Sequence, residues 1–354
     1  MSQKTIFLQP PELLDQNIQE KIVCIRSHRE RIFKTGLEII DNQKIFHNYG
    51  HGGAGWTFLF GSVHEAMRQF EEYVSKNICN PETHIYVVGA GCYGLLTAIL
   101  LTRLGYTVKI IAKETKDIAS YKAAGFFFPR PRKNPTKEER EIFLSFGLDS
   151  YTAYRQIIGG SHPFLKSGAR LLPCYFGPDI DPGFQQYLDN NLMPLPEKVI
   201  IDFQNGKTYD AIAYQTVFID VLVLMQELER NRKELAIEII QAELENFNEI
   251  KVEYIFNCSG FGAKKLTNDR LLVPVQGHLI SLKNQKNLSC LEYMINVKVV
   301  MIDSFGRTRD KLLYYAPKES GILGITFLRG QDSLTANAHE FDDLLKRSRD
   351  FFGI

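Results

Sequence analysis

The stretch Ile85-Tyr86-Val87-Val88-Gly89-Ala90-Gly91-Cys92-Tyr93-Gly94 decides the fold of this chain. Its first four residues are apolar and mostly β-branched, the pattern of a short strand buried on both faces. Glycines follow at once. Leu95-Leu96-Thr97-Ala98-Ile99-Leu100-Leu101 then reads as a helix, with Gly105 placed to cap it, and Thr107-Val108-Lys109-Ile110-Ile111-Ala112 as a second strand. A lone Gly-x-Gly-x-x-Gly run is weak evidence, and its bland reading is a turn that binds nothing. Set between strand and helix of a β-α-β unit it has a mechanism. Gly89 permits the tight turn, Gly91 (after Ala90) lets backbone approach a pyrophosphate, and Gly94 lets the helix pack on the strand. The helix N-terminus adds N–H groups and a positive dipole end. Glu114, twenty residues after Gly94, has the spacing of the carboxylate that accepts ribose hydroxyls. Lys113 sits beside it, so one of the two must point away.

Two further glycine-rich stretches flank this unit. Ile255-Phe256-Asn257-Cys258-Ser259-Gly260-Phe261-Gly262 reads as a late strand ending in a small-residue turn. Alone it is a generic corner; beside the first fingerprint it brings a second backbone segment to the ligand and favours FAD over NAD, through Ser259 and Gly260. His47-Asn48-Tyr49-Gly50-His51-Gly52-Gly53-Ala54-Gly55-Trp56-Thr57 is more specific. Four glycines in six residues allow positive φ and close approach to a planar ligand, which makes Gly52, Gly53, Gly55, Trp56 and Thr57 candidate flavin contacts. Residues 57–73 read as a helix whose N-terminus would stabilise negative charge on a reduced flavin. A metal site at His47 and His51 is rejected, because an i, i+4 pair faces one ligand only on a helix and these glycines disfavour one.

Composition narrows the class. With 354 residues and a net charge of +1, the chain is long enough for two medium domains or one interleaved unit and lacks a basic face for nucleic acid or membrane. Arg130-Pro131-Arg132-Lys133 is the one short basic cluster and reads as a solvated loop. Six scattered cysteines without a Cys-x-x-Cys pair argue for a reducing compartment. No signal-like or membrane-length apolar run is present, so the expectation is a soluble cytoplasmic protein. Residues 126–200 read as irregular with a short helix near 137–146, and 217–231 as a helix. Residues 236–241 and 252–256 read as strands returning to the nucleotide unit. Residues 279–282, 297–302, 312–315 and 322–327 read as strands of a second, antiparallel sheet, and 341–351 as a closing helix.

The loop at 47–53, the first fingerprint, Ala123-Ala124-Gly125 and Asn257-Cys258-Ser259-Gly260 together resemble the D-amino acid oxidase and D-aspartate oxidase family. Cys24-Ile25-Arg26-Ser27-His28-Arg29 is similar to its Gly-x-Arg-Pro-x-Arg segment, and Pro274-Val275-Gln276-Gly277-His278 to its Pro-x-Arg-Gly-Gln. The order departs from the family, where the His-Asn-Tyr-Gly-His-Gly-Gly loop comes last. The resemblance therefore implies a circular permutation, with the old termini joined through residues 76–83 and new ones opened before the strand carrying Arg26. The implied fold is α/β: a Rossmann-like FAD-binding domain (47–130, 212–272 and part of 328–354) interleaved with an antiparallel-sheet α+β substrate domain (1–46, 131–211 and 273–327).

The same resemblance assigns roles. Arg26 pairs with a substrate carboxylate, Tyr314 stands beside it (Tyr315 is one register slip away), and the Gly53 carbonyl accepts from the substrate amine. Ala124, Gly125 and Leu244 join the FAD contacts. The implied chemistry is hydride transfer from the α-carbon of a D-amino acid, giving an imino acid that hydrolyses to a 2-oxo acid and ammonia, with dioxygen as acceptor and peroxide as product. Alternatives are a dehydrogenase with another acceptor, or a flavin-binding module whose pocket has decayed, since a second family tyrosine is missing near Arg309-Asp310. Arg130, Arg307 and Arg309 would suit an acidic substrate; neutral and acidic D-amino acids stay equally open. A homodimer is compatible with all of this.

Overall fold

The computed structural model describes residues 3–77, 83–129, 135–302 and 307–354. The chain opens with β1 (Lys4–Phe7), β2 (Ile18–Arg29), β3 (Lys34–Ile40), β4 (Gln43–Tyr49) and α1 (Leu59–Lys76). The fingerprint unit follows as β5 (His84–Val88), α2 (Cys92–Arg103) and β6 (Thr107–Ala112). Next come α3 (Ala119–Lys122), α4 (Lys137–Ile158), β7 (Ala169–Phe176), α5 (Gln185–Asp189), β8 (Glu197–Asp202), β9 (Thr208–Ile219) and α6 (Val221–Glu234). The last third holds β10 (Glu238–Gln241), β11 (Tyr254–Asn257), α7 (Ala263–Thr267), β12 (Leu272–Leu282) and β13 (Met294–Ile302). It closes with β14 (Thr308–Ala316), β15 (Ile322–Gly324), β16 (Leu328–Arg329) and α8 (Ala338–Phe352).

These strands form two sheets. Six lie in the order β10-β6-β5-β11-β4-β3, parallel except for the edge strand β3. Both faces are covered. Ile85, Val87, Phe46 and Phe256 pack with α1 and α2, while Val88, Ile45 and Ile255 fill a smaller cluster on the opposite face. That double burial is why β5 reads as an unbroken apolar run. α2 starts where Gly91 ends the strand and stops at Leu104, with Gly105 at φ 95° beyond it.

The other sheet has ten strands, ordered β1-β8-β9-β7-β13-β14-β15-β12-β16 with β2 paired to β12. It is mixed, not antiparallel as expected: β1 runs parallel to β8 and β7 to β13. Side chains alternate across it. Leu279, Tyr314 and Phe176 face the shared main core, whereas Ile280, Tyr315, Leu313 and Ile295 face α8.

Several boundaries differ from the sequence reading. Residues 217–219 belong to β9, paired with β7, and Asp220 starts α6 by accepting from the Val223 amide. The helix near 137–146 continues to Ile158, because Gly147 packs against Tyr187 inside the helix and does not end it. Of the strand expected over 322–327 only Ile322–Gly324 forms, and Leu328–Arg329 beyond it is a separate short strand. Sheet membership also cuts across the expected division: β3 and β4 join the parallel sheet, β9 joins the mixed one, and α8 buries Phe341, Leu344, Phe351 and Phe352 against the mixed sheet. Arg130, the 130–133 basic cluster and most of the 76–83 joint lie outside the described residues.

Candidate functional site

A cavity of about 1290 Å³ runs from the carboxyl ends of β5, β6 and β11 to the face of the mixed sheet at β2, β12, β13 and β14. That exceeds an ordinary small-molecule pocket and suits a dinucleotide with room to spare. Its first wall is the fingerprint. Gly89 has φ 109°, and a Cβ there would lie 2.8 Å from the Cys258 carbonyl carbon, so the first turn presses on the second. Gly94 is off the wall: a Cβ would overlap the Gly89 carbonyl oxygen, which is the close helix–strand contact its spacing implied. Gly91 caps α2 with no side chain, and Ser120 Oγ accepts from the Cys92 amide at 3.1 Å. Ala90, Gly91 and Glu114 all line the cavity, as does Leu244. Lys113 is drawn toward Glu243 at 3.1 Å while Glu114 stays exposed at the wall.

The second wall is the loop at 47–57, held by a dense polar frame. His47 is fully buried, with Nε2 2.8 Å from Glu38 and Nδ1 3.1 Å from Asn257 Nδ2. Asn257 Oδ1 in turn accepts from Ser259 Oγ at 2.6 Å, so β4 sets the turn carrying Ser259 and Gly260. Burial outweighs the Glu38 hydrogen bond and holds the His47 pKa below its ordinary value. The neutral ring then accepts from Asn257 and donates to Glu38. His51 stacks between Phe33 and Tyr93 at 4.4 and 4.1 Å, and the Tyr93 hydroxyl donates to the Gly55 carbonyl at 2.7 Å. Gly52, Gly53, Gly55, Trp56 and Thr57 reach the cavity. The polar side-chain atoms of the last two are committed elsewhere: Trp56 Nε1 donates to Ser120 O at 3.0 Å, and Thr57 Oγ1 accepts from the Phe128 amide at 3.1 Å. Cys92 and Cys258 on the wall stay thiols, since burial pushes them up to about 11 and about 12.

The third wall is Ala124 and Gly125, with Gly125 at φ 90° against the Ile219 carbonyl. Its anchor, missed in the sequence, is Lys318, buried and donating to the carbonyls of Tyr121 at 2.6 Å and Ala123 at 3.1 Å. Burial lowers the pKa of this ammonium. No local pattern marks a lysine two residues past a strand as the clamp of a loop some 195 residues earlier.

At the far end stands Arg26, only 8 % exposed. Its Nη1 donates to Thr326 O at 3.0 Å, its guanidinium covers the Phe327 ring at 4.7 Å, and its buried Nη2 has no partner. A Cβ on Gly53 would lie 3.5 Å from Arg26 Cδ, which brings the 47–57 loop against the arginine. Tyr314 lines the same end, packed on Phe126 at 5.2 Å. Burial raises its pKa, against the opposing pull of Arg26, so the phenol is a neutral O–H donor. Tyr315 turns to the opposite face and donates to Leu291 O at 3.4 Å, which settles the register. Arg307 and Arg309 are exposed and off the cavity wall, and Gln276 donates to Ser333 O at 2.5 Å outside it. Leu279, Asn296, Leu312, Ile325 and Leu334 complete this end, and none carries a sequence signal.

The glycine cradle, the side-chain-free cap of α2 at Gly91 and the unpartnered Arg26 nitrogen fit a long phosphate-bearing cofactor with an anionic group beyond it. Residues 84–354 match the sequence profile of the FAD dependent oxidoreductase family. The chain belongs to that family. It is 25 % identical over 279 residues to human D-aspartate oxidase, covering 74 % of each chain. It is also 25 % identical over 277 residues to a D-amino-acid oxidase of Dictyostelium discoideum, covering 75 % of this chain and 72 % of that one. Among solved structures, the iminodiacetate oxidase of Chelativorans sp. BNC1 is similar with a TM-score of 0.49 and 14 % identity, covering 76 % of this chain and 79 % of that one. The cofactor is FAD. Among the described residues no helix is long and apolar enough to cross a membrane, and no His/Cys/Asp/Glu cluster is arranged for a metal.

Proposed function

We propose that this protein oxidises the amine of a D-amino acid to a 2-oxo acid and ammonia, passing the electrons to dioxygen and releasing hydrogen peroxide. The observation that carries this reading is Arg26: a buried guanidinium with a free Nη2 at one end of the cavity whose other end is the glycine cradle. An unpaired buried cation is costly unless a ligand completes it, and a planar fork matches a carboxylate. Tyr314 adds a neutral donor, and the Gly53 carbonyl accepts from the amine. FAD supplies the two-electron sink for the α-C–H bond. The chain's own part is to orient the α-carbon and exclude water, with no side-chain base needed for a neutral amine.

In this reading the six-stranded sheet is the core of the FAD-binding unit and the ten-stranded sheet that of the substrate unit. The chain is a circular permutation: the profile match begins at His84, whereas Arg26 and the 47–57 loop, similar to late family segments, precede it. Anaerobic mixing of the yellow protein with D-amino acids, L-amino acids and glycine tests the activity. Bleaching by D-amino acids, with peroxide formed once air is admitted, is expected. A flavin that no amino acid in the panel reduces would sink the proposal.

A further inference from the structure

Two glycines on paired strands of the mixed sheet are not required by a left-handed φ. Gly277 lies within β12 and Gly324 ends β15, and neither has a positive φ. Glycine weakens a strand interior, so its presence there marks a place where something approaches the backbone closely. In both cases the approaching group belongs to this chain. A Cβ on Gly277 would overlap Arg26 Nη2 and lie 2.5 Å from Arg26 Cζ. A Cβ on Gly324 would overlap the Tyr314 ring and lie 2.7 Å from its hydroxyl oxygen.

The register explains the arrangement. Arg26 on β2 opposes Val275, so its side chain leans diagonally along β12 to lie over Gly277, two residues on and on the same face. Tyr314 on β14 stands opposite Gly324, which in turn stands opposite Leu279 on β12. Arg26 therefore reaches inward over one strand from one side, and Tyr314 over one strand from the other. Gly277 and Gly324 are diagonal neighbours across the β12–β15 pair, about 7–8 Å apart. Arg26 Nη2 lies over Gly277 and the Tyr314 hydroxyl over Gly324, so the two donors stand above diagonal neighbours, and a carboxylate with two oxygens can accept from both.

We propose that Gly277 and Gly324 are positioning residues for substrate, forming a floor without side chains on which Arg26 and Tyr314 lie. The separation of the two donors is set by the sheet, not by the flexible arginine. This rests on the reading of Arg26 as the carboxylate anchor. It adds that Gly277 acts on ligand binding only through Arg26, and Gly324 only through Tyr314.

The experiment is a double-mutant cycle on the FAD-loaded full chain. It is read by the absorbance change of bound flavin on titration with acetate and cyclohexanecarboxylate, and by the substrate dependence of anaerobic reduction by D-amino acids. Gly277→Ala is expected to weaken carboxylate binding about tenfold or more, with the flavin spectrum retained. In an Arg26→Ala background the same change should alter binding less than about twofold, because the guanidinium it displaces is gone. Gly324→Ala should behave likewise against Tyr314→Leu. If Gly277→Ala instead loses flavin or melts early, the Arg26→Ala/Gly277→Ala double variant decides: recovery of flavin content supports the clash, and no recovery overturns it. Wild-type affinity in Gly277→Ala, or additive effects of the two changes, overturns the inference while leaving the proposed activity intact. A wild-type flavin that ignores every carboxylate and every D-amino acid overturns both.

Discussion

The two sheets solve different problems and leave different traces. In the six-stranded sheet the glycines act on their own neighbourhood: Gly89 turns the strand, Gly91 opens the helix end and Gly94 lets that helix return onto the strand. These three effects lie within six consecutive residues, and only Gly89 also presses on a distant segment, at Cys258. In the ten-stranded sheet Gly277 and Gly324 act on Arg26 and Tyr314, side chains of neighbouring strands, and Arg26 lies some 250 residues from Gly277 in the chain. The fingerprint end of the cavity is thus built largely by local backbone chemistry, and the Arg26–Tyr314 end by strand pairing at a distance.

This contrast can be attacked at each end. The largest effect is expected from Gly94→Val, which drives a side chain into the Gly89 carbonyl. Backbone cannot yield there, so a loss of several kcal/mol and flavin-free protein are expected by absorbance and thermal melting. Normal flavin content in that variant would break the local half of the comparison. Next is Arg26→Ala: flavin stays bound while kcat/KM falls about a thousandfold, roughly 4 kcal/mol of lost charge-assisted bonding. Loss of flavin instead would make Arg26 structural. Tyr314→Phe removes one neutral donor and should cost about tenfold in KM with little change in limiting reduction rate.

The smallest effect concerns pH and the frame behind the 47–57 loop. The His47 pKa is lowered by burial, so the folded state holds this ring neutral below the pH at which an unfolded histidine takes up its proton. Stability it contributes is present above about pH 6.5 and is lost as pH falls through the depressed folded value. Protonation would set an N–H against the Asn257 amide group. The melting temperature should therefore drop by about 2–4 °C more between pH 7 and pH 5 in wild type than in His47→Gln. Identical pH profiles would show that the frame is indifferent to this proton.

Legibility followed the same division. The parallel sheet's central strands, α2, its cap at Gly105 and nearly every cavity-facing glycine were readable because each signal sits within one turn or strand of what it controls. The place of Glu114 on the cavity wall was readable from spacing alone. By contrast, the end of β9 was misread as helix because Val217, Phe218 and Ile219 suit either state, and pairing with β7 decided it. The extent of α4 was missed because Gly147 looks like a stop until Tyr187 is seen packed on it. Lys318 was missed because its partners Tyr121 and Ala123 are carbonyls of a distant loop.

What the sequence by itself determined is the dinucleotide unit, the glycine loop at 47–57 and the candidacy of Arg26 and Tyr314. The first two rest on backbone sterics and helix ends that a few neighbouring residues specify; the candidacy of Arg26 and Tyr314 rests on the family resemblance. Only the tertiary structure decided which tyrosine of the Tyr314–Tyr315 pair faces the cavity, where α8 packs, and which strands Arg26 and Tyr314 lie over. Those depend on strand register, and register is a property of paired segments that no single segment contains.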